Sequence, residues 1–71
     1  MPMKLIKRHG DTGIVEYNGI KYNAVLKLLD SAKIGDYLII HAGFAIQKMN
    51  EREAKDILAI YEEMSRLARN Q

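Results

Sequence analysis

A chain of 71 residues carrying a formal charge of +2 is sized for one domain, and at this length only about 60% of the unfolded chain's surface can be buried on folding, so the core must be small. Apolar residues at 48% and charged residues at 28% describe a globular domain, not a disordered tail. No apolar run nears the ~20 residues that cross a bilayer, residues 1–10 lack the apolar core of a secretion signal, and a cytoplasmic location is the expectation.

Lys4 to Arg8 reads as a strand, and Gly10-Asp11-Thr12-Gly13 supplies turn residues before Ile14-Val15-Glu16-Tyr17 resumes β-favouring composition. Asn18-Gly19 tolerates the positive φ values of a type I′ turn, whose twist suits flanking strands, so residues 14–25 are predicted to form a hairpin. Its second arm, Ile20 to Val25, alternates apolar and polar residues and leaves one face wet. Leu26 to Ser31 is too short and uncapped for a helix. An extended connection or short turn that carries Leu28 and Leu29 inward is expected there. Lys33 to Asp36 is a turn leading into the apolar strand Tyr37 to Ala42. Gly43 then reads as a bulge or a point of close backbone approach, with Phe44 to Lys48 continuing as strand.

Asn50 opens the single strong helix. Its side chain can accept an orphan amide hydrogen while Glu53 reaches back, and Arg66 and Arg69 suit the negative end of the helix dipole. Ala54, Ile57, Leu58, Tyr61, Met64 and Ala68 recur at spacings of three and four and form one apolar stripe. The stripe lacks sustained heptads, so it is expected to pack on the open side of a small barrel instead of forming a coiled coil. Short strands with glycine-bearing turns, followed by one helix, predict a mainly β fold: a small β-barrel over residues 1–49 and a C-terminal helix over residues 50–69, in a single domain spanning 1–71.

With no cysteine, the chain has no disulfide, thiolate nucleophile or sulfur-rich zinc site. Only His9 and His41 remain as imidazoles, neither has a carboxylate pair placed beside it, and an enzyme is not expected. His9, next to Gly10, reads as an exposed loop residue. His41 ends an apolar strand, where a ring nitrogen could face a partner or a metal, although one imidazole is by itself a weak site. Phe44 has two readings, a barrel-core residue because it is the only phenylalanine, or an interface anchor beside Gly43.

The run Gly35-Asp36-Tyr37-Leu38-Ile39-Ile40-His41-Ala42-Gly43-Phe44-Ala45-Ile46 resembles a segment of small hydrogenase assembly chaperones, the HypC/HupF family, which reads Gly-Asp-Tyr, three apolar residues, His-x-Gly-Phe-Ala-Ile. The likeness extends from Pro2 to about Leu58 and is densest over residues 33–48. It implies an OB-like barrel with an appended helix, and a non-enzymatic role in nickel-iron hydrogenase maturation. The implied partners are an iron-sulfur scaffold protein and the hydrogenase large-subunit precursor. No stably bound cofactor is implied, only transient handling of an iron carrying cyanide and carbon monoxide.

That family begins Met-Cys-Leu-x-(Ile/Val)-Pro and uses the cysteine with the motif histidine. Here the chain begins Met1-Pro2-Met3-Lys4, and if Pro2 is the motif proline, the cysteine falls four residues upstream of it. A shortened N-terminus is the expected explanation, with a paralogue that cannot ligate iron as the alternative. The resemblance therefore implies His41 as a candidate iron contact only alongside a cysteine absent here, and Pro2, Met3, His41, Gly43 and Phe44 as partner-binding residues. The rival function is a single-strand nucleic-acid module stacking bases on Tyr17, Tyr22 and Tyr37. Seven Lys/Arg against four Asp/Glu over residues 1–49 are scattered, which reads as solubilising charge; a purely structural role is the third possibility.

Overall fold

The computed structural model describes residues 1–69. Five strands, β1 (Pro2–His9), β2 (Thr12–Tyr17), β3 (Ile20–Val25), β4 (Tyr37–His41) and β5 (Phe44–Met49), precede one helix, α1 (Glu51–Arg69). The strands close into a barrel in the order β1-β2-β3-β5-β4, which is the OB-like order, and β3 meets β5 in parallel while the other neighbours are antiparallel. None of the described helical residues forms a span long and apolar enough to cross a membrane.

The turns follow from local chemistry. Tyr17 faces Ile20 across Asn18 (φ 51) and Gly19 (φ 79), so both central residues take the left-handed conformation that the Asn-Gly pair was expected to accept. The predicted bulge at Gly43 is replaced by a second turn of the same kind. His41 faces Phe44 across Ala42 (φ 52) and Gly43 (φ 83), and the chain reverses there. A positive φ at alanine costs roughly 1–2 kcal/mol, which is why the sequence did not advertise this hairpin. Close backbone approach does occur at Gly43, whose carbonyl accepts a bond from the Val25 amide at 2.8 Å. The bulges lie elsewhere: the register slips between Leu5 and Lys7 on β1, and between Ile39 and Ile40 on β4, where Ile46 is the extra residue of β5.

Met3, Leu5, Val15, Ala24, Leu26, Leu38 and Ala45 fill the barrel, with Ala32 closing it from the connection between β3 and β4. That connection is two tandem turns, Leu29 N to Leu26 O at 3.0 Å and Ala32 N to Leu29 O at 3.1 Å. Leu26 is fully buried and Leu29 packs against the core, but Leu28 is 64% exposed, against the expectation that it points inward. A turn repeating every three residues puts Leu26, Leu29 and Ala32 on one side and leaves Leu28 between them. The Arg8 guanidinium holds the connection in place, donating to the carbonyls of Gly10 (3.0 Å), Asp30 (3.2 Å) and Ala32.

α1 begins as predicted. Asn50 Oδ1 accepts from the Glu53 amide at 2.8 Å, and Asn50 Nδ2 donates to Glu53 Oε1 at 2.6 Å, a side-chain version of the reciprocal cap. Asn50→Ala is expected to lower stability by about 1 kcal/mol in urea unfolding; no change beyond error would mean that tertiary contacts alone fix the helix start. Beside the cap, Lys55 bonds Glu51 at 2.9 Å and holds that carboxyl below its ordinary range.

The rest of the stripe departs from expectation. Only Ala54 is buried and Ile57 and Leu58 are half-buried, while every described residue from Ala59 onward is exposed, Met64 at 60%. A 19-residue helix is about 28 Å long, whereas the molecule's two shorter extents are 21 and 18 Å, so the helix, which meets the barrel chiefly at β1, is longer than the barrel surface beside it.

Candidate functional site

β4 and β5 carry the motif residues to one corner of the barrel. Alternation along β4 turns Leu38 and Ile40 inward, so His41 ends the strand facing out and exposed. On β5 the inward position belongs to Ala45, which is fully buried. Phe44 therefore faces outward at 43% exposure, and its reading as a core residue is corrected. His41 and Phe44 are cross-strand partners, and the Ala42-Gly43 turn projects beyond them. A Cβ added at Gly43 would meet nothing within 4 Å, so the positive φ, and not crowding, is what calls for glycine there.

The row does not stop at Phe44. Phe44 pairs with Val25, Val25 with Thr12, and Thr12 with His9, giving an outward row across four strands. Lys7, Ile14 and Asn23 form the next outward row, and between the rows and Gly43 runs a largely apolar groove of about 560 Å³. His9 is exposed, as expected, but it is the last residue of β1 and not part of a loop.

Pro2 and Met3 are buried, so neither offers a side chain to a partner. Both are held in the barrel wall by pairing with β4. Pro2 lies opposite Ile39 and Met3 opposite Leu38 in an antiparallel register, which, if continued, would bring Met1 beside Ile40 and the residue immediately ahead of it beside His41. The corner thus gathers His41, Gly43, Phe44 and the start of β1, while Met3 serves the core. Among the described residues no group of three or more His, Cys, Asp or Glu side chains could hold a metal ion.

The tyrosines do not form a stacking platform. Tyr17 packs against the core, Tyr37 is half-buried at the start of β4, and Tyr22 is exposed on β3. Two features were missed by sequence reasoning. Arg8 read as one more solubilising charge, since its three carbonyl partners lie as far as 24 residues away. The meeting of β3 with β5 at the single pair Val25 and Phe44 was hidden because partner strands are set by barrel closure, which no local pattern reports.

Comparison with known proteins agrees with the motif. The model of the HupF/HypC family matches residues 1–61. A hydrogenase maturation factor HypC from Azotobacter chroococcum is 46% identical over 50 residues, covering 70% of this chain and 60% of that protein. One from Cupriavidus necator is 34% identical over 68 residues, covering 94% and 76%. A third, from Helicobacter hepaticus, is 30% identical over 66 residues, covering 90% and 77%.

Proposed function

The chain belongs to the HupF/HypC family of hydrogenase maturation factors, and from that premise we propose that it acts as a non-enzymatic assembly chaperone, docking through the His41-Gly43-Phe44 corner onto a maturation scaffold protein and then onto the hydrogenase large-subunit precursor. The observation that carries this reading is the pairing of β1 with β4. The start of the chain runs alongside the strand that ends in the one exposed imidazole of the motif, with an exposed phenylalanine opposite it.

The cargo in this reading is an iron bearing cyanide and carbon monoxide. A soft thiolate suits low-spin iron and imidazole is a reasonable second donor, but His41 alone supplies a single donor. In the register of β1 and β4, a cysteine four residues ahead of Pro2 would continue the strand past His41 toward the turn. Protein contact and metal carriage are therefore separable, the first resting on the corner and the second on a thiolate added to it.

The test compares three proteins, each co-purified with the scaffold protein: the present chain, the chain extended by Met-Cys-Leu-Ala with Met1→Ile, and the extended chain with His41→Ala. Iron content and the infrared bands of cyanide and carbon monoxide are measured on each. The expected result is docking by all three, iron in the extended chain, and several-fold less iron after His41→Ala. Equal iron in the present and extended chains would remove the cysteine from the reading, unchanged iron after His41→Ala would remove His41, and loss of docking in none of a set of Phe44→Ser and Gly43→Val variants would move the contact away from the corner.

A further inference from the structure

We infer that the outer edge of β3 is a docking edge for an extended peptide strand that alternates apolar and acidic residues. The barrel is closed between β3 and β5 at one position only, Val25 opposite Phe44. The Val25 amide donates across that seam to Gly43, so on β3 the odd-numbered residues point their backbone groups away from β2. The Leu26 amide confirms the alternation, since it points the other way, to Asp11. Lys21 and Asn23 share the parity of Val25. Their N–H and C=O groups therefore face the seam, but the chain of β5 has already left it through the Ala42-Gly43 turn, and no described strand lies beside them. Every residue from Ile20 to Asn23 is exposed.

Side chains and charge state what fits. On the core-facing side of this edge, Ile20 and Tyr22 are 55% and 52% exposed, so an added strand gains from apolar residues there. On the outward side, the row Lys4-Glu16-Lys21 and the neighbouring row Lys7-Ile14-Asn23 together carry three lysines against one glutamate. Acidic residues are favoured on that face of the added strand. A second copy of this chain is not, because edge-to-edge pairing of β3 with itself would set Lys21 and its surplus of positive charge against the same surface. The strand would lie end to end with β5 and stop at the Gly43 turn, which delivers its end to the His41 corner. This deepens the chaperone reading by stating how a partner segment is held, and it is tested without any maturation protein, so its failure would leave that reading standing.

The probe is a short synthetic peptide of alternating valine and glutamate, with a valine-lysine peptide as its counterpart, and the readout is amide hydrogen exchange of the purified chain resolved by NMR. The glutamate peptide is expected to protect the Lys21 and Asn23 amides, and the lysine peptide to leave them unprotected. Asn23→Pro removes an N–H that the barrel does not use and is expected to weaken binding about tenfold, the loss of roughly one hydrogen bond. Lys21→Glu, at an exposed position, balances two lysines against two glutamates on that face and is expected to abolish the preference between the two peptides. Unprotected Lys21 and Asn23 amides at saturating peptide, equal binding of both peptides, or undiminished binding after Asn23→Pro in a folded variant would overturn the inference. Protection of the same two amides that rises with protein concentration in the absence of peptide would overturn it in favour of a second copy.

Discussion

Gly13→Ala is expected to remove roughly 1–3 kcal/mol of stability, toward the upper end because a backbone atom is in the way, the range for a forced close contact in a packed core. A Cβ at this position would sit 2.7 Å from the Lys7 carbonyl oxygen and 2.9 Å from a methyl carbon of Leu26 and of Leu5. Leucine methyl groups can swing aside, but the Lys7 carbonyl belongs to the β1-β2 ladder, where Arg8 pairs with Gly13. A domain of this size has only about 4–10 kcal/mol in total, so much of the stability would be lost. Gly10→Ala is the informative control. It has a φ of +60 but open space around it, and should cost about 1 kcal/mol from backbone strain alone. Urea unfolding of both variants decides the matter: equal losses would show that β1 slides to make room, and that Gly13 is not required for close packing.

Leu26→Ala is expected to cost about 2–5 kcal/mol, as for other leucines truncated in full burial. Leu26 is the first residue after β3, is fully buried, and reaches both Gly13 and the interior of the barrel. Its backbone also ties three segments, donating to Asp11 and accepting from Leu29. Leu28→Ala, two residues on, should change stability by less than about 0.5 kcal/mol because Leu28 is exposed. Thermal or chemical unfolding that found the two substitutions equal would show that the connection is repacked in solution with Leu28 inside.

The pattern of what could be read beforehand follows from where each signal resides. Asn18-Gly19 and the Asn50 cap are properties of two to four adjacent residues, and both were legible. The Ala42-Gly43 hairpin was not, because alanine seldom adopts positive φ and the apolar run continues through the reversal without a polar break. The exposure of Phe44 and the inward turn of Ala45 depend on which face of β5 meets the core, and a bulge at Ile46 breaks the alternation that would have said so. The helical stripe was read correctly as apolar, but its length against the barrel's width decides how much of it is covered, and width is a tertiary quantity. At the site, His41 and Gly43 were legible through the motif. That Pro2 and Met3 are buried in the wall was not, since a terminal segment gives no sign of whether it will be the fifth side of a barrel.

The pairing of β1 with β4 also sets an order of events. β1, β2 and β3 form a meander whose turns are each two residues long, and such hairpins close in about 1–10 μs once their residues are free. Pro2 meets Ile39 only after everything between them has been made, a delay on the order of seconds at about 5–20 residues per second of synthesis. Until then β4 is absent, β1 has a bare second edge, and the histidine corner does not exist. The start of β1 reaches that corner only through the most non-local ladder in the chain, so the corner is complete only when the barrel is. A partner that required the complete corner would therefore also inspect the whole fold, and would pass over a chain stalled on its way to the barrel.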